Sequence, residues 1–238
     1  MTGVPGQGRL IAVEGISGVG KTYLTQQAVA LLPGQQRPIV IEEFSRRLTD
    51  SGDDLGRALL RTLRTAAADG DPFLRGNVPA TETLLLLAIK MHDYEEYCAS
   101  ALRQGRTVVE GRGVHTTAIY QSLILHPDND EHAHSRAQDI LVLAQTWRPL
   151  PDLTVLITDD VTTAVRRAED RDGISYTPEQ WRLHHRAANA YARLADDDPH
   201  HVHMIDRRGT CVDEVARELA TCIAGTHSGL AGPATTSR

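Results

Sequence analysis

The sequence predicts an α/β fold in which a parallel sheet is covered by helices on both faces. Two observations carry this. Five apolar, strand-like runs alternate along the chain with helix-compatible segments, the pattern of a parallel sheet with crossover helices. The first run leads directly into Gly15-Ile16-Ser17-Gly18-Val19-Gly20-Lys21-Thr22, a G-x-x-x-x-G-K-[ST] signature in the strand–loop–helix context it requires. A chain of 238 residues is long enough to bury a full core as one domain.

Strands are expected at 9–14, 38–42, 106–110, 153–158 and 202–206, and helices at 20–32, 54–68, 80–104, 114–125, 133–147, 160–170, 178–196 and 211–224. In the segment TETLLLLAIKMHDYEEYCASAL the apolar positions are dense at first and then thin out, as in a long helix buried at one end and exposed at the other. Residues 9–225 read as one domain, 1–8 as a flexible start, and the Gly, Ser, Thr and Pro-rich stretch 226–238 as a disordered tail.

The glycine-rich loop identifies a polyphosphate site. Glycines let the backbone approach closely, and its amides converge at a helix start whose dipole favours anions. Gly15, Ser17, Gly18, Val19, Gly20, Lys21, Thr22 and Tyr23 are the expected set contacting a nucleoside triphosphate. Lys21 would reach the outer phosphates and Thr22 would hold Mg2+ through its hydroxyl. Lysine is used only at positions 21 and 90, while arginine is abundant, so Lys21 is not surface filler.

A formal net charge of −6 provides no electrostatic footprint for nucleic acid as a bulk partner. No run approaches the length of a membrane span and the N-terminus lacks a signal-peptide core, so a cytoplasmic location is expected. Cys98, Cys211 and Cys222 have no metal spacing and read as reduced thiols. The histidines of 132–134 and 200–203 lack convergent cysteine or carboxylate partners and read as loop and strand-start residues.

Several further stretches, in order, resemble the thymidylate kinase family of P-loop nucleoside monophosphate kinases, over residues 10–224. GRTVVEGRGVHTTAIYQ is similar to the strand and loop where that family writes Asp-Arg-Tyr, two serines and Ala-Tyr-Gln. Arg112, Thr116, Thr117, Tyr120 and Gln121 fall in register, with Gly111 at the Asp position and Gly113 at the Tyr position. PDLTVLITDDVTTAVRRAEDR resembles the next strand and the arginine-bearing lid, placed at about 160–177. In HRAANAYARLADDDPHHVHMID, Arg186, Tyr191 and Asp206 match.

The resemblance implies a three-layer P-loop kinase fold with a five-stranded parallel sheet and a helical lid. It implies phosphoryl transfer from ATP, with Mg2+, to a small-molecule acceptor resembling dTMP. The edited acceptor loops leave a nucleoside or a specialised metabolite as an alternative, and a nucleotide-dependent switch as a more distant one. EEFSRRLTDSGDDLG keeps Leu55-Gly56 but lacks the family's Pro-Gly-Gly. On the acceptor side the resemblance points to Phe44, Arg46 or Arg47, Lys90, Arg112, Thr117 and Gln121. Lys90 is displaced by about a residue from the family's arginine. Glu110, one place before the family's Asp, is the nearby carboxylate for magnesium or the acceptor. A one-residue slip reverses the facing of a strand side chain, so that role requires a locally irregular strand end; the alternative is a structural strand-end charge. Arg167 and Arg171 share one helix face and are the expected lid cations, with a solvated basic face as the alternative. The family's dimerisation through helices has a counterpart in the apolar face of 84–91, which a core helix would equally present.

Overall fold

The five strand-like runs form a five-stranded parallel sheet of order β2-β3-β1-β4-β5 among the described residues. A computed structural model describes residues 8–41, 54–67 and 71–225. The expectations for the remaining N-terminal residues, for 226–238, and for Phe44, Arg46 and Arg47 lie outside the described residues.

The strands are β1 (Leu10–Glu14), β2 (Ile39–Ile41), β3 (Val108–Gly111), β4 (Leu153–Thr158) and β5 (Val202–Asp206). Each lies within a residue or two of its expected position. β1 is buried throughout, and β4 is buried from Leu153 to Ile157. Successive strand side chains point to opposite faces, so such runs occur only where both faces are covered. The edge strands β2 and β5 mix buried and exposed positions. The one-strand switch at β1, flanked by β3 and β4, opens the crevice at the carboxyl edge where open α/β sheets bind ligands.

The helices are α1 (Lys21–Leu31), α2 (Leu55–Ala66), α3 (Pro79–Asp93), α4 (Ala99–Arg103), α5 (Val114–Leu125), α6 (Asp130–Gln145), α7 (Val161–Asp172), α8 (Pro178–Asp197) and α9 (Val212–Ala224). The expected helix at 80–104 is interrupted by a π-helical turn at Tyr94–Cys98. α6 starts three residues before its expected position. Asn129 accepts from the His132 amide, and this polar cap preceded the apolar residues on which the expectation was keyed. α8 begins with a reciprocal capping box between Thr177 and Gln180, with Pro178 in its first turn, a combination that satisfies orphan amides and presets the backbone. The main core joins β1 and β4 to Leu24 and Ala28 of α1, Tyr120 of α5, Tyr191 of α8 and Leu219 of α9. Among the described residues no helix is long and apolar enough to cross a membrane.

Candidate active site

The loop after β1 turns on three glycines with positive φ: Gly15 at 134°, Gly18 at 82° and Gly20 at 91°. A Cβ on Gly15 would collide with the Ile157 carbonyl, and one on Gly18 with the Ala164 carbonyl. The loop therefore seats directly on β4 and α7, which only glycine permits. α1 starts at Lys21. The Lys21 ammonium, 6% exposed, donates to the carbonyls of Gly15 (3.0 Å) and Ile16 (2.8 Å). Thr22 is partly buried beside it, while Val19 turns its side chain into the core and Tyr23 is exposed. An open cavity of about 330 Å³ lies along Lys21 and Thr22 and is also lined by Arg37, Ile41 and Gly111. At the position where the resemblance sets an aspartate, this wall is bare backbone.

β3 delivers Arg112 to the loop. Arg112 adopts the left-handed region with φ of 61°, a conformation costing a non-glycine residue about 1–2 kcal/mol. Its amide donates to Val13 (3.1 Å) and its carbonyl accepts from the Lys90 ammonium. Held this way, the side chain sends Nη2 to the Ser17 hydroxyl at 2.9 Å. Gly113 follows because space is short: a Cβ there would lie 3.2 Å from the Ala12 methyl and 3.2 Å from Glu110 Oε2.

Two side chains expected at the site are engaged within the fold. Glu110, expected as a magnesium or acceptor ligand, is the first. It lies in regular register opposite Ala12, so the irregular strand end that such a role required is missing. Its carboxylate takes a bidentate pair from Arg148, Nη1 to Oε1 and Nη2 to Oε2, both 2.9 Å. Both side chains are 3% exposed or less. Burial works against the Arg148 charge, but the Glu110 carboxylate outweighs it and holds the guanidinium above its usual range. The Tyr94 ring lies 5.2 Å from the same guanidinium. Lys90, expected on the acceptor side, is the second: it is 4% exposed, and its ammonium donates to the Arg112 carbonyl.

Sequence reasoning missed Glu14, although a carboxylate ending an apolar strand ahead of a glycine loop is a signal. Glu14 is fully buried and accepts from the Thr116 hydroxyl, the Thr116 amide (3.3 Å) and the Tyr191 hydroxyl (3.1 Å). Burial first, and then the Glu14 carboxylate, push the Tyr191 phenol well above its ordinary value, so it remains a donor. Two of the matched residues, Thr116 and Tyr191, thus tie α5 and α8 to the end of β1. Thr117 and Gln121 lie buried on α5, with Gln121 Oε1 accepting from Thr83 at 3.1 Å.

Next to them Tyr120 joins an aromatic group whose other members, Phe73 and His184, no sequence pattern indicated. Phe73 stacks on Tyr120 with centroids 5.7 Å apart and meets the edge of His184 at 5.1 Å. His184 is fully buried; burial, and then the charges of Arg112 and Lys21, lower its pKa to about 3.

The two arginines expected of a lid diverge. Arg167 reaches the loop, with Nη1 3.4 Å from the Gly18 carbonyl and 2.6 Å from Asp159 Oδ2. Arg171 turns to Asp172 of its own helix at 2.7 Å and is largely exposed. The loop gains a cation from elsewhere: Arg207, just after β5, donates to the Val19 carbonyl at 2.6 Å. Among the described residues no group of three histidine, cysteine, aspartate or glutamate side chains forms a ready metal cage. A single hydroxyl, Thr22, beside a polyphosphate loop fits Mg2+, which takes few protein ligands and completes its shell with phosphate oxygens and water.

The model of the family described as thymidylate kinase matches residues 13–219. A thymidylate kinase of Geobacter sulfurreducens is 30% identical over 207 residues, covering 84% of this chain and 89% of that protein. One from Thiobacillus denitrificans is 28% identical, covering 90% and 95%. Among solved structures, the thymidylate kinase from Candida albicans superposes with a TM-score of 0.65 at 17% identity, covering 92% of each chain. That from Ehrlichia chaffeensis gives 0.61 at 19%, covering 91% and 98%.

Proposed function

The chain belongs to the thymidylate kinase family, and on that premise we propose that it transfers the γ-phosphoryl group of ATP to dTMP through the residues assembled around Arg112. The observation that carries the assignment is the Arg112–Ser17 contact of 2.9 Å, which sets a guanidinium between the ATP loop and the acceptor crevice. Phosphoryl transfer calls for positioning and charge neutralisation more than covalent chemistry. The amides of 15–22 cradle the donor phosphates, and Lys21 exchanges its two loop carbonyls for phosphate oxygens. Thr22 would hold Mg2+ through its hydroxyl, and the ion would supply charge neutralisation for the donor phosphates. Arg112 binds the acceptor phosphate as a planar fork, a geometry that lysine does not offer. Thr117, Gln121 and the Phe73 ring bind the base, and Arg167 meets the charge of the transferring group from the lid.

A second reading rests on Gly111. A cavity wall without the family's aspartate side chain favours another nucleotide, a nucleoside or a specialised small molecule as acceptor. A panel of dTMP, other nucleoside monophosphates and nucleosides, assayed for acceptor-dependent ADP release with Mg2+, separates the two. dTMP is expected to give the highest kcat/KM. ATP turnover indifferent to every acceptor would overturn the kinase assignment, and preference for a neutral nucleoside would overturn the phosphate-binding role of Arg112.

A further inference from the structure

Two guanidinium groups from separate elements meet the outer side of the glycine-rich loop. Arg207 Nη1 donates to the Val19 carbonyl at 2.6 Å, across 188 residues of sequence, and Arg167 Nη1 reaches the Gly18 carbonyl at 3.4 Å. One carboxylate holds both arginines: Asp159 Oδ2 is 2.6 Å from Arg167 Nη1 and 3.3 Å from Arg207 Nε, and its side chain is 6% exposed. Arg207 is aimed from below, because its amide donates to the Thr158 carbonyl at 3.1 Å and so extends the β4–β5 pairing by one step. Gly20 clears the seat, since a Cβ there would lie 2.7 Å from Arg207 Nη1.

A trans peptide unit is planar, and its C=O and the following N–H point in opposite directions. Drawing the Val19 carbonyl outward to Arg207 therefore turns the Gly20 N–H to the inner side of the loop. Drawing the Gly18 carbonyl to Arg167 does the same for the Val19 N–H. Inward amides in such a loop are the anion-binding groups. We propose that Arg207 is a positioning residue for the donor nucleotide, which acts through the 19–20 peptide plane to present the Gly20 amide to the polyphosphate of ATP, with Asp159 as its anchor.

The assignment draws on two features of the pair. Arg207 is better buried than Arg167, with a side chain 19% exposed against 42%, so its contact is the less screened by water. Burial, and then the neighbouring Arg167 charge, lower the Arg207 pKa, with Asp159 opposing. This crowding of two cations is sustained by the shared carboxylate.

The proposal rests on ATP as donor and predicts an effect on polyphosphate rather than on the nucleoside or the acceptor. Kd values for MgATP, inorganic tripolyphosphate and dTMP are compared for the parent, Arg207→Gln and Arg207→Lys, together with KM and kcat. In Arg207→Gln, MgATP and tripolyphosphate should weaken by the same factor, about tenfold, with dTMP affinity within twofold and kcat at saturating ATP within threefold. Arg207→Lys, which keeps one donor, should recover most of the loss. Weakened ATP with unchanged tripolyphosphate would mean direct contact with the nucleoside, and unchanged affinity for both would mean no role; either overturns the proposal. If Arg207→Gln fails to fold, Arg207→Met, which keeps the apolar stem and removes the donors, decides through the NMR shift of the Gly20 amide on adding tripolyphosphate. A smaller shift than in the parent supports the proposal, and an identical one refutes it. Persistent dTMP-dependent turnover at high ATP keeps this outcome separate from failure of the kinase assignment.

Discussion

Arg148→Met should be among the most damaging single substitutions in this protein, although Arg148 lies outside the catalytic crevice. The Arg148 and Glu110 side chains are 2% and 3% exposed, and two hydrogen bonds of 2.9 Å join them. Removing the arginine strands a buried ionised carboxylate on β3, a strand that pairs with β1 and β2. Breaking a buried pair in this way costs about 3–5 kcal/mol, a large part of the ~5–15 kcal/mol that holds a typical domain together. Replacing both partners by apolar residues removes the desolvation penalty along with the attraction, so Glu110→Leu/Arg148→Met should unfold within about 1 kcal/mol of the parent or above it. Urea unfolding at pH 7 of the parent, both single variants and the double variant closes the cycle, and Trp147, beside Arg148 in sequence, serves as a fluorescence reporter. The Mg2+ dependence of turnover in the double variant completes the test. Single-variant losses below about 1 kcal/mol, or a folded double variant whose Mg2+ requirement has risen tenfold, would return Glu110 to the metal.

Three further outcomes are expected. Arg112→Lys should raise KM for the acceptor about tenfold or more while leaving ATP affinity within twofold, read by steady-state kinetics with each substrate varied; the reverse pattern would exchange the two sides of the site. Arg167→Ala should lower kcat about tenfold or more, the order expected when one transition-state donor is lost, and Arg171→Ala should lower it less than twofold because its guanidinium pairs with Asp172; equal effects would contradict the divergence of the two side chains. His184, with a pKa lowered to about 3 by burial and then by Arg112 and Lys21, is neutral in the folded protein while the unfolded chain takes up a proton near pH 6.5. Its contribution is therefore fully present above pH 6.5 and is lost as pH falls toward 3, at about 1.4 kcal/mol per pH unit. Unfolding between pH 4 and 7 should show that slope reduced in His184→Phe, and an unchanged slope would place the acid sensitivity elsewhere.

The sequence by itself determined the strand order of events along the chain and the donor loop. An apolar run buried on both faces, a glycine that must turn with positive φ and a lysine at a helix start are local demands of backbone stereochemistry, and they leave their marks within a few residues of one another. Thr22, Lys21 and the glycines were legible for that reason. Even the reservation about Glu110 was legible, because strand side chains alternate with a period of two; what that carboxylate faces instead was settled by Arg148, 38 residues later. Lys90 likewise carried the right charge in the right helix, but the direction of its ammonium depends on where β3 ends and on the left-handed turn at Arg112. His184 owes its low pKa to burial and then to the charges of Arg112 and Lys21, and which groups surround one histidine of a helix is decided only by how the helices pack. Arg207, Arg167 and Asp159 converge on one loop from the ends of β5 and β4 and from α7. Only tertiary structure brings them together, since the parallel sheet sets all its carboxyl ends on one edge and makes neighbours of residues that the chain itself keeps far apart.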